Sequence, residues 1–331
     1  MLKVALLGAG RIAKVHAKHI DDNPDSVLFS VSGHSSESAK KLADKYHAKV
    51  LSVEEAINHP EVDIVLIATP NDTHADFARQ AARAGKAIFC EKPIDLDIER
   101  VKACVKVIKD SGVPFMVGFN RRFDPNHAGL QQALSEGAIG KLEHVQINSR
   151  DPSPPPAESF PDSGGIFRDM TIHDFDMARF LLQEEPVSVF AMGAALVNPE
   201  IAAGGDLDVI SITLQTASGK LVTINNSRRS GYGYDQRVEA HGQLGSLQVN
   251  NVPSTTVIKM TEDHGIQSQK PLYSVLDRYY DAFNGQWKAF IAAVKDHKPV
   301  PVTAEDGLKA LLLAEAAIES YKTKKVVSIT L

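Results

Sequence analysis

The sequence predicts an α/β protein in which a doubly wound parallel sheet precedes an α+β domain with a large open, mostly antiparallel sheet. Over the first 120 residues, short apolar runs alternate with amphipathic segments, which is typical of parallel strands covered by helices. Further along, alternating polar and apolar segments are separated by turn residues, which indicates hairpins. A chain of 331 residues corresponds to about two domains. We therefore predict domains over residues 1–120 and 121–331, and the C-terminal helix could pack back on the first domain.

The elements of the first domain follow from its apolar runs. Each run is short enough for a buried strand, and the segments between the runs carry apolar residues at helical spacing. Because crossovers between parallel strands are right-handed, these helices would cover both faces of the sheet. The predicted strands are 3–8, 27–32, 63–68, 86–91 and 114–119. The predicted helices are 11–20, 36–46, 72–84 and 97–110.

The second domain is predicted to begin with a helix at 125–136 and a strand at 142–150. The proline-rich stretch 151–165 follows and is predicted to be a loop, because proline fits neither a helix interior nor a central strand. A helix over 166–182 then leads into the hairpin region. The strands predicted there are 187–197, 209–216, 220–227, 236–242, 246–251 and 255–260. Two amphipathic helices, at 274–297 and 303–323, close the chain.

Composition excludes several classes of function. The 36 basic and 41 acidic residues give a formal charge of −5 without a block of like charges, so nucleic acid is not an expected partner. Two cysteines outside any CxxC pair predict a reducing compartment, the cytoplasm, and no structural zinc. No apolar run approaches the ~18 residues of a membrane span, and the apolar N-terminus runs directly into a glycine turn.

A glycine-rich turn, GAGRIA, lies between the first strand and the first helix. Gly8 would permit the tight turn, Gly10 would let a pyrophosphate approach the backbone, and Ala13 would let helix and strand pack closely. Arg11 and Ile12 stand at the helix start, where free amides point at phosphates. This pattern predicts a Rossmann domain that binds NAD or NADP.

The sequence leaves the choice between NAD and NADP open. The acidic residue that would bind the adenosine ribose at the end of the second strand is absent, and the chain reads SGHSS over 32–36. His34 and Ser35 could accept a 2′-phosphate, but no arginine lies between residues 12 and 78 to hold it. The alternative is that this loop is simply solvated.

Further candidate residues follow two other strands of the first domain, whose carboxyl ends should face the ligand. Thr69 and Asn71 are candidate cofactor contacts, whereas His74 could bind the cofactor or only begin a helix. Glu91 ends the strand at 86–91 and Lys92 follows it, at the edge of the sheet where the cofactor is expected. The ammonium of Lys92 could donate to a substrate hydroxyl and stabilise the alkoxide that forms as hydride departs, or it could be a solvated surface charge.

The predicted helix 166–182 would place Asp169, His173 and Asp176 on one face. A carboxylate beside an imidazole fixes its tautomer and raises its basicity, which suits proton abstraction from an alcohol. Three alternatives stay open. The aspartate and the histidine could form a surface pair, the three side chains could ligate a metal, or the histidine could belong to the core.

Two further segments carry candidate substrate contacts. In GFNRRFD, one of the two adjacent arginines, Arg121 or Arg122, could hydrogen-bond a polyhydroxyl substrate, and the other arginine would have a structural role. Tyr232 lies in a glycine turn, where its phenol could reach a ligand or pack.

Taken together, the motifs resemble the Gfo/Idh/MocA oxidoreductase family over nearly the whole chain, and they favour its inositol branch. The motifs concerned are GAGRIAKVHA, THAD, CEKPIDLD, GFNRRFDP, SRDP, GGIFRDMTIHDFDMARF and YGYDQR. The resemblance implies a catalytic group of Lys92, Asp169 and His173, and inositol contacts from Arg122, Asp151, His173 and Tyr232. It also implies a cis Lys92–Pro93 peptide and a homotetramer formed through the second-domain sheets. Gly33 departs from the family, because NAD-preferring relatives commonly place aspartate there.

The activity that the resemblance implies is oxidation of the C2 hydroxyl of myo-inositol to 2-keto-myo-inositol (scyllo-inosose), with hydride passing to NAD or NADP. No metal is expected, since the lysine and histidine would polarise the alcohol. The alternatives are a glycoside hydrolase that uses NAD transiently, a dehydrogenase of another cyclic polyol or sugar, a dinucleotide sensor without catalysis, and a metal-dependent sugar isomerase.

Overall fold

The computed structural model describes residues 1–155 and 163–331. Residues 156–162, which belong to the predicted proline-rich loop, lie outside the described residues. The chain divides into two compact units. The first unit comprises Met1–Asn120 and Ala282–Leu311, and the second comprises Arg121–Asp281 and Leu312–Leu331. Among the helices of the described ranges, none is both long and apolar enough to cross a lipid bilayer.

The first unit is built around a parallel sheet with strand order β3-β2-β1-β4-β5-β6, which confirms the predicted doubly wound fold. The strands are β1 (Leu2–Leu7), β2 (Ser26–Ser32), β3 (Lys49–Val50), β4 (Ile64–Ile67), β5 (Ala87–Cys90) and β6 (Phe115–Val117). The helices of residues 1–120 are α1 (Arg11–Asp21), α2 (Ser36–Lys45), α3 (Val53–Asn58), α4 (His74–Arg83) and α5 (Ile98–Ser111). A short 3₁₀ turn, Asn71–Thr73, precedes α4.

The central strands of this sheet are buried on both faces. All four residues of β4 are inaccessible to solvent, which explains why apolar runs without alternation form strands here. The unit also contains Trp287 from the C-terminal part of the chain. Its indole Nε1 donates to the Ser26 hydroxyl at 3.1 Å, and its ring packs on Phe89.

The second unit contains a seven-stranded sheet with order β12-β11-β7-β10-β9-β8-β15. Its neighbouring strands are antiparallel except for the parallel pair β7 and β10, which confirms the predicted mostly antiparallel sheet. The strands are β7 (Leu142–Arg150), β8 (Pro186–Ala194), β9 (Val209–Thr216), β10 (Leu221–Ser227), β11 (Asp235–Gly242), β12 (Gly245–Val249) and β15 (Val327–Ser328). A separate hairpin pairs β13 (Ile258–Thr261) with β14 (Gly265–Ser268).

One face of this sheet forms the core of the second unit. Along β9, Ile210, Ile212 and Leu214 are buried while the residues between them are exposed, as the alternating pattern predicts. Helices cover the buried face. The other α-helices of the described residues are α6 (Pro125–Ser135), α7 (Gly165–Asp169), α8 (Ile172–Leu182), α9 (Pro199–Ala203), α10 (Val275–Arg278), α11 (Tyr280–Asp296) and α12 (Ala304–Thr323).

The predicted helix 166–182 is wrong in one respect, because it is two helices, α7 and α8. The Thr171 hydroxyl lies 3.1 Å from the Ile166 carbonyl and 2.7 Å from the Asn226 side-chain oxygen on β10. The Thr171 amide also donates to Ile166 O, five residues back, so the regular ladder of the helix is interrupted. The predicted helix 274–297 is likewise divided, at Tyr279, into α10 and α11.

Candidate active site

The glycine turn after β1 has the geometry that the sequence predicts. Gly8 has φ +114°, and a Cβ there would lie 2.3 Å from the Ala68 carbonyl oxygen. Only glycine fits this position. Gly10 is the N-cap of α1, and a Cβ on Gly10 would meet no atom within 4 Å outside its own helix and chain neighbours. A side chain is therefore absent where the first amides of α1 would meet a pyrophosphate. Arg11 is exposed and Ile12 is partly buried at this helix start.

The loop after β2 is tightly packed at Gly33, where a Cβ would lie 3.2 Å from the Ala39 Cβ and 3.3 Å from the Ala9 Cβ. Ser35 caps α2, since its hydroxyl accepts from the Ser38 amide at 3.4 Å. His34 is exposed.

His74 is buried, and its ring links two segments of the first unit. Nδ1 lies 2.8 Å from the Pro93 carbonyl oxygen, and Nε2 lies 2.7 Å from the Thr69 carbonyl oxygen. The Thr69 hydroxyl contacts the Thr73 hydroxyl at 2.6 Å, while Asn71 begins the intervening 3₁₀ turn. His74 therefore connects the backbone of the segment at Thr69 with the backbone of the segment at Pro93. A contact between His74 and the cofactor stays a prediction.

The segment Glu91-Lys92-Pro93 contains the predicted cis peptide, at Lys92–Pro93. The Glu91 carboxylate lies 2.6 Å from Nε2 of His16, which is buried on α1. His16 is not among the residues predicted from the sequence. Its place six residues after Gly10, on the helix face that packs on the sheet, was the available signal. Lys92 is partly exposed at the carboxyl end of β5.

In the second unit, Asp169 ends α7 and His173 lies in the first turn of α8, so the predicted shared face of one helix is wrong. Asp169 Oδ2 lies 3.5 Å from Nη2 of Arg228, a residue that the sequence analysis missed. Asp151 follows β7, and its Oδ2 lies 3.8 Å from Nη1 of the same arginine. Burial raises the pKa of Asp151 to about 6, although Arg228 opposes this shift.

Both arginines of the GFNRRFD motif pair with α8. Arg121 Nη1 donates to Asp174 at 2.6 Å in the interior. Arg122 binds Asp176 through two hydrogen bonds, of 2.9 and 2.6 Å. The Arg122 guanidinium therefore binds both oxygens of the Asp176 carboxylate, which the metal-site alternative would need as a ligand. Among the described residues, no group of three histidine, cysteine or acidic side chains is arranged to hold a metal ion.

The two tyrosines of the YGYD turn have different surroundings. Tyr232 is 45% exposed, and its hydroxyl donates to Asp235 at 2.5 Å and accepts from Arg150 at 3.0 Å. Tyr234, which the sequence analysis did not select, is buried with its hydroxyl 3.5 Å from Arg121 Nη2. Burial raises the pKa of Tyr234, so this phenol stays neutral.

The parallel sheet and its glycine turn define a dinucleotide-binding protein of the Rossmann class. Residues 2–119 match the model of an oxidoreductase family with an NAD-binding Rossmann fold, and residues 127–248 match the GFO/IDH/MocA C-terminal domain. The chain belongs to the Gfo/Idh/MocA family of oxidoreductases, which confirms the resemblance drawn from the motifs.

Several relatives are similar over almost their whole length. An inositol 2-dehydrogenase of Rhizobium meliloti is 48% identical over 99% of each chain. The crystal structure of a myo-inositol dehydrogenase from Corynebacterium glutamicum is 41% identical and has a TM-score of 0.96, covering 100% of this chain and 99% of that one. A myo-inositol dehydrogenase from Lactobacillus casei, solved with NAD(H) and myo-inositol, is 26% identical with a TM-score of 0.90, covering 100% and 97%.

Proposed function

We propose that this oxidoreductase transfers hydride from C2 of myo-inositol to a nicotinamide dinucleotide, giving 2-keto-myo-inositol. The observation that carries the proposal is the 48% identity, over 99% of both chains, to an inositol 2-dehydrogenase. Chains this similar over their whole length keep the same fold.

The proposed chemistry assigns one role to each catalytic residue. His173 takes the proton of the reacting hydroxyl, and Asp169 orients the imidazole and stabilises its cation. Lys92 donates a hydrogen bond to the same oxygen as its charge develops. When bound, the nicotinamide supplies the hydride acceptor. The assignment requires Lys92 and His173 to act on one hydroxyl.

We propose that the dinucleotide binds at the glycine turn before α1. Gly8 and Gly10 give the backbone its close approach to the phosphates, and the first amides of α1 bind them. The other proposed contacts are Arg11, Ile12, His34, Ser35, Thr69, Asn71, His74, Glu91 and Lys92. We infer that NAD serves as the cofactor, since the myo-inositol dehydrogenase from Lactobacillus casei was solved with NAD(H).

The proposed substrate contacts are Arg122, Asp151, His173 and Tyr232 of the second unit. A polyol presents hydroxyl donors and acceptors together, which suits a mixture of arginine, carboxylate and phenol groups. Asp151 and Tyr232 are partly accessible, as such contacts require. Arg122 and Tyr232 already bind aspartates in this structure, so their proposed contacts use the remaining donor or acceptor positions.

We further propose a cytoplasmic homotetramer in which residues 1–120 bind the dinucleotide and residues 121–331 bind substrate and form the subunit contacts. Exposed apolar side chains on the second-unit sheet, Met192 on β8 and Leu221 on β10, support such contacts. Cys90 and Cys104 are both buried free thiols, which supports a reducing compartment.

An initial-rate screen tests the proposal. NAD and NADP are each combined with myo-, scyllo- and chiro-inositol and with glucose, and reduced nicotinamide is measured. We expect steady NAD reduction, fastest with myo-inositol. Glycoside cleavage without net reduction would identify the hydrolase alternative, and cofactor binding without turnover on any polyol would identify the sensor. Activity that a chelator abolishes would identify metal-dependent chemistry.

A further inference from the structure

Arg228 differs from the other buried arginines of the second unit in how it meets its carboxylates. Three of those arginines each hold an aspartate at close range. The closest contacts are 2.6 Å for Arg121 and Asp174, 2.6 Å for Arg122 and Asp176, and 2.5 Å for Arg278 and Asp124. Arg228 instead faces two aspartates at longer range, Asp169 at 3.5 Å and Asp151 at 3.8 Å.

The burial of these three groups is unequal. The Arg228 side chain is 2% exposed, whereas Asp151 and Asp169 are 26% and 35% exposed. The Arg228 Nε is buried and, among the described residues, has no hydrogen-bond acceptor. A buried cation therefore supports two carboxylates that solvent or a ligand can reach. At these distances each carboxylate keeps acceptor positions that the guanidinium does not occupy.

The charges near Asp151 explain why the cation matters. Burial and the negative charges of Asp169 and Asp174 raise the pKa of Asp151, and Arg228 and Arg121 lower it. The Tyr234 phenol is close enough to Asp151 and Asp174 for their negative charges to raise its pKa as well. Two carboxylates that share a partly buried site cannot both stay ionised without a nearby cation.

We propose that Arg228 is a positioning residue, which keeps Asp151 and Asp169 ionised side by side so that one orients His173 and the other accepts a substrate hydroxyl. This inference rests on the proposed function. Arg228 itself stays buried and does not contact the substrate. Its contribution is electrostatic, because without its charge one carboxylate takes up a proton and loses its strength as an acceptor.

The pH dependence of kcat/KM for myo-inositol tests the inference. Arg228→Met should move the acidic limb of the profile upward by about one pH unit or more, since an opposite charge at this range lowers a carboxyl pKa by that amount. Arg228→Lys retains the charge and should keep the limb near its wild-type position. A rate lowered by the same factor at every pH in Arg228→Met would show a merely structural role and overturn the inference.

Arg168→Met is the matched control. Arg168 precedes Asp169 on α7, but its guanidinium pairs with Glu315. This substitution removes the same charge from the adjacent position without touching the two carboxylates, so the acidic limb should not move. A shift as large as that of Arg228→Met would mean that any lost charge has this effect, and the inference would fail.

A second measurement does not depend on activity. Because the folded-state pKa of Asp151 is raised, its contribution to stability is present below the unfolded pKa and is lost as the pH rises through about 6. The difference in unfolding free energy between wild type and Asp151→Asn should change with pH between the unfolded and the folded pKa of Asp151, and this pH range is called the Asp151 window. In the Arg228→Met background the window should move to higher pH, and an unmoved window overturns the inference. If wild type reduces no NAD with inositol while the window moves, the proposed function alone has failed.

Asp169→Asn covers the case in which Arg228→Met does not fold. Removing the neighbouring negative charge should move the Asp151 window to lower pH. An unchanged window in Asp169→Asn would show that the two carboxylates are not coupled, and the inference would be wrong.

Discussion

The Arg121 guanidinium donates to the Asp174 carboxylate at 2.6 Å, with the two side chains 6% and 0% exposed. The same carboxylate accepts from Ser149 at 2.7 Å and from Asn226 at 2.8 Å. The pair therefore joins α8 to β7 and β10 through buried polar groups that satisfy one another. Such a network fixes one arrangement of helix on sheet.

Breaking this pair should cost much of the stability of the second unit. Asp174→Ala leaves the Arg121 charge buried without its partner, so we expect the free energy of unfolding to fall by about 3–5 kcal/mol. Urea-induced unfolding measures the loss. Asp110→Ala, which removes an exposed partner of Lys106, should have almost no effect. Equal losses in both variants would contradict the role of burial.

Two glycine substitutions should separate folding from cofactor binding. Gly8→Ala places a Cβ 2.3 Å from the Ala68 carbonyl oxygen at φ +114°, so it should lower the melting temperature and the yield of folded protein. Gly10→Ala meets no protein atom within 4 Å, so it should fold normally but weaken NAD binding, because the methyl group occupies the space for the pyrophosphate. Calorimetry and NAD titration measure the two effects. Unimpaired NAD binding by Gly10→Ala would count against the proposed phosphate position.

Lys92→Ala and His173→Ala should each lower kcat by about two or more orders of magnitude, which is the usual scale for losing acid–base assistance. Steady-state rates with saturating myo-inositol and NAD give the comparison. Lys102→Ala is the control, since Lys102 is an exposed lysine of α5 paired with Glu99. Near-normal turnover in both site variants would refute the catalytic assignment.

The acid stability of the protein should depend on His127. Burial lowers the pKa of His127 to about 4, whereas an unfolded histidine titrates near 6.5. Between these values the unfolded chain binds a proton that the folded chain does not, so the contribution of His127 lowers stability as the pH falls, by at most about 1.4 kcal/mol per pH unit. Asp151, whose pKa is raised to about 6, acts in the opposite direction, so the comparison between variants isolates the histidine. The pKa of neighbouring Asp124 is lowered from 3.8, so it titrates below this window.

Unfolding free energies measured from pH 7 to pH 4 test this expectation. The slope should be smaller in His127→Asn than in wild type, and it should be unchanged in His297→Asn, whose side chain is exposed. A wild-type slope in His127→Asn would show that another group controls the acid limb.

Cofactor preference should respond to the residue that follows β2. Gly33→Asp introduces a carboxylate that accepts from the ribose hydroxyls and repels a 2′-phosphate, so the NAD to NADP ratio of kcat/KM should rise at least about tenfold. The Ala39 Cβ would crowd the new side chain, so Ala39→Gly accompanies it, with Ala39→Gly alone as control. An unchanged ratio would place the ribose elsewhere.

Local sequence predicted those features that depend on local backbone geometry. A tight turn is predicted at Gly8 because such a turn needs φ values that other residues avoid, and the structure has φ +114° there. The alternation along β9 identified its buried face for a similar reason, since the period of a strand is fixed. A local signal was also overlooked. Ser52 and Glu55 form a capping box that marks the start of α3.

Features that depend on contacts between distant residues could not be predicted. The break between α7 and α8 involves the Thr171 hydroxyl and Asn226, 55 positions away. Arg228 follows β10 and meets Asp151 because β10 lies beside β7, and nothing in the letters SRRS distinguishes Arg228 from Arg229. The buried Tyr234 and the half-exposed Tyr232 belong to the same glycine turn, so residue type alone could not rank them.

The division between α7 and α8 also bears on how this site can diverge. Asp169 and His173 are carried by separate helices, so a change in the length of the junction would move one side chain relative to the other. The buried face of α8 would keep its register on the sheet. A change in the length of this two-residue joint can thus redirect the Asp169 side chain, while the hydrophobic interior of α8 stays untouched.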